Sequence, residues 1–377
     1  MASEVLKKGG EVTSEVLGET RGFDFGGMRF GVKAWRASAS DAREGGTLSA
    51  PIVLVHGFAQ QASTWDDAVR LLAGAGAECF GFELAGHGAD ACSAGGDPAE
   101  RPDFFDLCFQ ARALLAFCRV VARDAGVAPV LVGYSMGGRV ALQAACLAAD
   151  DLRDGGDLDR TALRSSAAFA PRGRTDRLDV TGVGQRDTAA TSAGDAVRMP
   201  AAVPFSALVL ESAGLGPADD AAREALRERN FAWAARVRDE GVSAFMDWWA
   251  GLPLFESQRN LDDDQRERLR AGRLANDAES LALSFERAGA HAMPSQGESI
   301  RALCELAAKG IPVSYLAGEL DAKYCKVAST LQAEYQGAVS CRVVPAAGHN
   351  IHLEQSEAFN AILGEVVESC TPKPAAP

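Results

Sequence analysis

Long apolar runs are missing from this sequence of 377 residues. No stretch of about 18 consecutive apolar residues occurs, although a membrane-spanning helix needs roughly that length. The N-terminal segment "MASEVLKKGGEVTSEVL" also lacks the apolar core of a secretory signal. These two absences predict a cytoplasmic protein without membrane insertion.

Positive charge is scarce relative to negative charge. The chain has 38 Lys and Arg residues against 51 Asp and Glu residues, which gives a formal net charge of −13. Such an acidic balance argues against a general surface for nucleic acid or for anionic membranes. We therefore expect no nucleic-acid partner, and no pattern indicates an obligate protein partner. A local basic pocket remains compatible with the arginines that are present.

Paired cysteines and clustered metal ligands are missing as well. The nine cysteines are scattered and form no CxxC pair. This spacing predicts free, mostly buried thiols in a reducing compartment. Because no cluster of His, Cys and carboxylate residues has the spacing of metal ligands, we expect no metal site.

Short apolar runs that alternate with helical patterns are abundant. A Gly-Gly turn in "FDFGGMRFGVKAWRA" first predicts a hairpin. Helices are predicted at Trp65–Ala75, Phe104–Ala125 and Met136–Ala149. The runs that predict buried strands are "PIVLVHG", "AECFGFEL", "APVLVGY", "FSALVLES", "IPVSYLAG" and "VSCRVVPAAG". This alternation predicts an α/β fold: a mostly parallel central sheet with helices on both faces, whose ligands gather at the carboxyl ends of the strands.

Two segments interrupt the alternation. Residues 150–203 are rich in Asp, Arg, Gly, Thr and Ala and have little periodicity, which predicts a disordered insertion. Residues 213–298 carry apolar positions at helical spacing without strands, which predicts a helical lid over the sheet. Residues 1–212 and 299–377 would then form the core domain.

Ser135 lies in the pentapeptide Gly133-Tyr134-Ser135-Met136-Gly137, at the junction of a predicted strand and a predicted helix. This sequence fits G-x-S-x-G, in which glycines permit a sharp turn that exposes the serine Oγ above the sheet. The motif therefore predicts a reactive serine at Ser135.

A reactive serine needs a base and an acid that orients the base. Among the five histidines, His349 follows the last predicted strand, and Asp321 follows the strand before it. The chain order Ser135, Asp321, His349 is the nucleophile–acid–base order of this type of sheet. Glu319 is an alternative acid, whereas we interpret His352 as a surface or helix-start residue.

Two backbone amides can form the oxyanion hole beside Ser135. The N–H of Met136 follows the serine directly, and the N–H of Phe58 lies in the loop after the first central strand. We interpret His56 and His87 as structural residues that shape their loops.

The motifs "VHGF", "ELAGHG", "GYSMGGR", "GELD" and "AGHN" together resemble the α/β-hydrolase superfamily. The runs "ESAGLG", "FMDWWAGLPLF", "GELDAKY" and "AGHNIHLEQ" resemble, more narrowly, the 2-succinyl-6-hydroxy-2,4-cyclohexadiene-1-carboxylate synthase family of menaquinone (vitamin K2) biosynthesis. The resemblance covers about residues 51–367, apart from the insertion at 150–203, which the family normally lacks. It implies the α/β-hydrolase fold with a helical lid.

The resemblance also implies a reaction. The family is a group of cofactor-free lyases that remove a proton alpha to the succinyl ketone of an enolpyruvyl-cyclohexene substrate and eliminate pyruvate. Ser135, deprotonated by His349 and Asp321, would act as the base, and the two amides would hold the enolate oxygen. The substrate would be a small molecule with several carboxylates.

The same resemblance implies residues that bind these carboxylates and the ring. A lid arginine of the family falls on a leucine in the ungapped register, so that Arg223 and Arg227 are both alternatives for it. The loop "ELAGHG" lacks a proline of the family pattern, and the loop "FAQQASTW" differs from the family's common form, so the resemblance supports Met136 more directly than Phe58 as an oxyanion donor. The substrate-binding residues predicted by the resemblance are Tyr134, Arg139, Arg227, Trp248 and Arg273.

Two other functions fit the same motifs. The first is a carbon–carbon bond hydrolase or carboxylesterase in which Ser135 is a base or a covalent nucleophile, because this scaffold carries many chemistries. The second is a non-catalytic protein that binds a small ligand. Release of pyruvate, compared with turnover of nitrophenyl esters, separates the lyase from the hydrolase.

Overall fold

The computed structural model describes residues 16–37, 50–88, 98–154 and 203–370. These residues form one sheet of eight strands with the spatial order β1-β2-β4-β3-β5-β6-β7-β8. The strands are β1 Val16–Phe25, β2 Met28–Ala37, β3 Ile52–Val55, β4 Cys79–Phe82, β5 Val130–Tyr134, β6 Ala207–Glu211, β7 Val313–Gly318 and β8 Ser340–Val344.

The sheet is antiparallel at one edge and parallel elsewhere. β1 and β2 form the predicted hairpin, in which Phe25 pairs with Met28 and both turn glycines have positive φ. β2 pairs antiparallel with β4, and β3 through β8 pair in parallel. The predicted α/β fold with a mostly parallel sheet is confirmed.

Helices cover both faces of this sheet. In β3, Ile52 and Leu54 face one hydrophobic core, while Val53 and Val55 face the other. This alternation follows from the two-residue period of a strand that is buried on both faces. The α-helices are α1 Asp66–Gly74, α2 Leu107–Ala125, α3 Met136–Asp154, α4 Asp220–Ala250, α5 Asp263–Leu274, α6 Ala278–Ala288, α7 Gln296–Ala308, α8 Ala322–Glu334, α9 Ile351–Glu354 and α10 Ser356–Cys370.

The helices α4 to α7 all lie between β6 and β7. Gly241, with φ 78° and ψ 165°, divides α4 into two helical parts, and α4 packs against α6. α7 packs against α3 on the sheet and extends ten residues beyond the predicted end of the lid at 298. The division into a core and a lid stays a prediction.

The predicted insertion at 150–203 is only partly described. α3 continues through residue 154, so the helix is longer than its predicted end at Ala149. Residues 155–202 lie outside the described ranges.

Eight of the nine cysteines are described, and all eight are free thiols. Three of these are buried, four are partly exposed and Cys108 is exposed, so the prediction of mostly buried thiols was too strong. Within the described residues, no helix combines the length and hydropathy that a membrane crossing requires. The same residues contain no group of three or more His, Cys, Asp or Glu side chains arranged to hold a metal ion.

Candidate active site

Ser135 occupies a sharp turn between β5 and α3. Its φ is 50°, in the left-handed region that side chains rarely adopt, and its N–H donates to Glu211 O across 2.9 Å. A Cβ on Gly137 would lie 2.2 Å from Val55 O, so only glycine lets α3 pass this close to β3. The strained turn therefore presents the serine at the carboxyl end of the sheet.

The structure brings Ser135, His349 and Asp321 together. His349 Nε2 lies 3.0 Å from Ser135 Oγ, and His349 Nδ1 lies 2.7 Å from Asp321 Oδ2. Because a carboxylate only accepts, Nδ1–H donates to Asp321, which leaves Nε2 free to accept the serine proton. The imidazole and the carboxylate are buried, with side-chain exposures of 2% and 3%. This is the geometry of a serine activated by a buried His–Asp pair.

The alternative acid and the second histidine have other partners. Glu319 accepts the N–H of Ala346 across 2.9 Å. His352, interpreted from the sequence as a surface or helix-start residue, is instead buried, with Nδ1 2.8 Å from Glu211. The interpretation of His352 was wrong because its environment is set by a strand 141 positions away in the chain.

Glu354 holds the loop that carries His349. Its Oε2 accepts the N–H of Gly348 across 2.7 Å, and its Oε1 accepts the N–H of Asn350 across 3.1 Å. One carboxylate thus binds the amides on both sides of His349. The histidine is fixed from its backbone as well as from its ring.

The two predicted oxyanion donors lie at the same end of the sheet. Met136 is the first residue of α3, where helix geometry leaves N–H groups without an intrahelical acceptor. Phe58 follows β3, and its ring packs against Phe285 with 4.2 Å between centroids. The oxyanion role of both amides stays a prediction.

Arg139 lies near a second arginine, Arg229, that the sequence did not single out. Both interact electrostatically with Tyr324, whose ring centroid lies 5.0 Å from that of His349. Burial lowers the pKa of both guanidinium groups, and for Arg139 the charge of Arg229 lowers the pKa further. Within the described residues neither arginine forms a salt bridge with a carboxylate, and Arg139 donates to Ala288 O at 3.4 Å.

Arg273 lies near Tyr134. It is 6% exposed, and burial lowers its pKa to about 10, while its charge interacts with the Tyr134 hydroxyl. Burial raises the pKa of Tyr134, whose ring lies 5.4 Å from that of His349. Arg273 thus places a positive charge near Tyr134, whose phenol ring lies next to the histidine.

Two predicted substrate-binding residues have positions that do not support that role. Arg227 is half-exposed and pairs with Glu224 on the surface of α4, 2.6 Å away. Its alternative, Arg223, donates to the carbonyl groups of His291 and Met293 and so holds a loop. The residue of α4 that lies near Arg139 is Arg229 instead.

Trp248 is likewise not the tryptophan that packs against Phe58, the second predicted oxyanion donor. Its ring lies under the guanidinium of Arg236 at 4.1 Å. Trp249 instead packs against Phe58 at 5.0 Å and against Phe255 at 5.6 Å. Consecutive residues of a helix point about 100° apart, so neighbouring tryptophans face different surroundings.

The arrangement can take a proton and hold an anion. Ser135 and His349 form a base, and the amides next to them can stabilise a developing oxyanion. Unpaired guanidinium groups in a partly buried site bind carboxylates, preferably in bidentate geometry. The site therefore suits proton abstraction or nucleophilic attack on a carboxylated small molecule.

Comparison with known proteins agrees with this geometry. The sequence profile described as "Alpha/beta hydrolase family" matches residues 52–362. A protein of Citrobacter koseri named 2-succinyl-6-hydroxy-2,4-cyclohexadiene-1-carboxylate synthase is 37% identical over 151 residues, or 40% of this chain and 54% of that protein. A Klebsiella pneumoniae protein of the same name is 35% identical over 163 residues, or 43% of this chain and 58% of that protein.

Among solved structures, that of MenH from S. aureus is similar, with a TM-score of 0.63 and 21% identity, and the match covers 90% of this chain and 98% of that chain. At this identity the likeness concerns the fold. The sequence matches span only a little more than half the length of the curated relatives.

Proposed function

The chain belongs to the alpha/beta hydrolase family, and from that premise we propose that it is a carbon–oxygen lyase of menaquinone biosynthesis. The substrate would be 2-succinyl-5-enolpyruvyl-6-hydroxy-3-cyclohexene-1-carboxylate. The products would be pyruvate and 2-succinyl-6-hydroxy-2,4-cyclohexadiene-1-carboxylate. The curated relatives that carry the synthase name support this choice.

The observation that carries the proposal is a serine base with two arginines near it that pair with no carboxylate among the described residues. Arg139 and Arg229 lie near Tyr324, which contacts His349. A plain esterase substrate has no anionic group that would need them. A substrate with several carboxylates does, since each carboxylate can pair with a guanidinium group.

The reaction then follows from the triad. Ser135 Oγ passes its proton to His349 Nε2 while it removes the proton alpha to the succinyl ketone. The electron pair moves into the ketone as an enolate, whose oxygen the N–H groups of Met136 and Phe58 would hold. The electron pair then returns to the ring, the carbon–oxygen bond breaks and the enolpyruvate leaves to become pyruvate after protonation. No covalent bond to Ser135 forms.

The proposal needs neither a cofactor nor a protein partner, so the purified chain alone should be active. Pyruvate release is measured by coupling to lactate dehydrogenase and following NADH absorbance. We expect turnover by the natural chain and a loss of about three orders of magnitude or more in Ser135→Ala and His349→Ala. Turnover of Ser135→Ala at the natural rate would contradict the assigned roles.

A hydrolase on the same fold is the competing function. A chain that hydrolyses nitrophenyl esters and releases no pyruvate would replace the lyase proposal with the esterase. A chain with neither activity would favour a binding protein. A cytoplasmic location belongs to the proposal and is supported by the eight free thiols; cell fractionation tests it.

A further inference from the structure

Asn276 lies between α5 and α6 and connects the end of α5 to the loop that follows β3. The residue is buried, with an exposure of 7%. Its Nδ2 donates to Ala59 O across 3.2 Å and to Gly272 O and Arg273 O across 3.0 Å each. An amide nitrogen has two hydrogens, so one can bind the last turn of α5 while the other binds Ala59. One side chain thus joins a helix end to a loop 217 positions earlier in the chain.

Ala59 has a strained backbone next to a predicted oxyanion donor. Its φ is 55°, in the left-handed region that side chains rarely adopt, and the residue is fully buried. Such a conformation persists only where surrounding contacts fix it. Ala59 belongs to the same turn as Phe58, because the N–H of Gln60 donates to Gly57 O across 3.3 Å. A bond that holds the Ala59 carbonyl therefore restricts the direction of the Phe58 N–H.

The turn is also held through further contacts of Asn276 and Phe58. Asn276 Oδ1 accepts the N–H of Gly88, in the loop after β4, across 3.4 Å. Both ends of the amide are therefore hydrogen-bonded, and only its nitrogen serves Ala59. The Phe58 ring packs against Phe285 of α6, with 4.2 Å between centroids. Asn276 thus binds the backbone of the turn, and the helix that follows Asn276 binds the aromatic side chain.

We propose that Asn276 is a positioning residue for the oxyanion hole. Its Nδ2–H keeps the turn in the conformation that directs the Phe58 N–H to the developing oxyanion. Asn276 acts through this turn and not through contact with the substrate. The hold on the turn follows from the hydrogen bonds alone, whereas its effect on turnover rests on the proposed function, in which the Phe58 N–H binds the enolate oxygen.

Asn276→Asp replaces the amide with a carboxylate of the same size, which accepts hydrogen bonds and cannot donate them. We expect kcat for pyruvate release to fall about tenfold to hundredfold at pH 8, with KM changed less than about threefold, because an oxyanion donor acts mainly in the transition state. Asn260→Asp is the matched control. It introduces the same charge at an exposed position, the end of the 3₁₀ helix Pro253–Asn260, and should keep the natural kcat and KM.

The pH dependence of Asn276→Asp separates positioning from a merely structural role. A protonated carboxyl group regains one donor, and burial beside carbonyl oxygens favours the protonated form. The kcat of Asn276→Asp divided by that of the natural chain should therefore rise at least about threefold between pH 8 and pH 5.5. Titration of His349 affects both chains and cancels in this ratio. A ratio that stays constant over this range would contradict the role of the Nδ2–H.

Hydrogen exchange followed by mass spectrometry measures the hold on the turn without the reaction. In Asn276→Ala, peptides that span residues 57–60 should exchange at least about tenfold faster than in the natural chain, while those of β5 keep their rates. Circular dichroism checks that both variants fold. Unchanged exchange in the turn, or the natural kcat in Asn276→Asp at pH 8, would overturn the positioning role.

The proposed function has a separate outcome in the same experiments. An absence of pyruvate release by the natural chain would overturn the lyase proposal. Faster exchange of residues 57–60 in Asn276→Ala would still support the hold of Asn276 on the turn, because exchange does not depend on which reaction the triad performs.

Discussion

His352 donates its Nδ1–H to Glu211 across 2.8 Å, and both side chains are 0% exposed. The pair lies directly behind the reactive serine, because the Glu211 carbonyl accepts the N–H of Ser135. On the other side, the indole of Trp65 stacks on the imidazole at 3.7 Å. A buried, hydrogen-bonded pair of this kind stabilises the strained turn that carries Ser135.

We expect Glu211→Ala to lower the free energy of unfolding by about 3–5 kcal/mol, because it leaves the buried imidazole without its partner. Urea denaturation followed by circular dichroism measures this. Glu224→Ala, which removes the exposed pair with Arg227, is the control and should leave the stability almost unchanged. Similar losses in the two variants would contradict a supporting role for the buried pair.

Arg139→Ala and Arg229→Ala should each raise KM for a carboxylated substrate about tenfold to hundredfold, with a smaller effect on kcat. The reason is that each removes a cation that binds substrate and transition state alike. Steady-state kinetics of pyruvate release measure both constants. Arg227→Ala is the matched control on the same helix, and its kinetics should equal those of the natural chain. A fall in kcat at constant KM would show that the arginines do not act as carboxylate ligands.

The triad was predictable because each member belongs to a local pattern. Ser135 follows a strand within G-x-S-x-G, and Asp321 and His349 each follow a strand. Parallel strands bring their carboxyl ends to one edge, so the order of the strands was enough to bring these side chains together. The strands β3 to β8 were predictable from short apolar runs, and the hairpin of β1 and β2 from its Gly-Gly turn.

The surroundings of the triad depend on contacts that no local pattern encodes. Trp248 and Trp249 are neighbours in the sequence, and only the rotation of α4 decides which one meets Phe58. Arg229 was missed because several arginines occur on that helix at similar spacing. Its distinguishing feature is a position near Tyr324 on α8, far away in the chain.

Glu354 was missed for a different reason, although it lies in the quoted run "AGHNIHLEQ". A glutamate near the start of a helix is normally interpreted as a surface residue. Its two bonds, to the amides before and after His349, depend on how the loop folds back. One signal for it was available in the sequence: Glu354 lies a short distance along the chain from the base, His349.

Glu354→Ala should lower kcat for the triad reaction about tenfold to hundredfold while KM changes little, because the amides on both sides of His349 lose the carboxylate that accepts from them. Glu354→Gln keeps one acceptor oxygen and should recover part of the rate. Glu357→Ala, on the exposed side of the next helix, is the control and should behave like the natural chain. If Glu354 had a purely structural role, its substitution would lower the melting temperature, and the alanine and glutamine variants would have the same kcat.

His87 predicts a pH dependence of stability. Its Nδ1–H donates to Ala85 O across 2.9 Å, and burial together with the nearby His56 lowers its pKa to about 3. An unfolded histidine titrates near pH 6.5, so below that pH the unfolded state binds the additional proton. The stabilising contribution is therefore complete above about pH 6.5 and falls by about 1.4 kcal/mol per unit as the pH drops towards 3.

Urea denaturation at pH 7, 5 and 4 measures how the free energy of unfolding depends on pH. This dependence should be weaker in His87→Gln than in the natural chain, whereas His291→Gln, at a half-buried site, should change it less. If the free energy of unfolding depended on pH equally in the natural chain and in His87→Gln, His87 would bind its proton in the folded state over the same pH range as in the unfolded state.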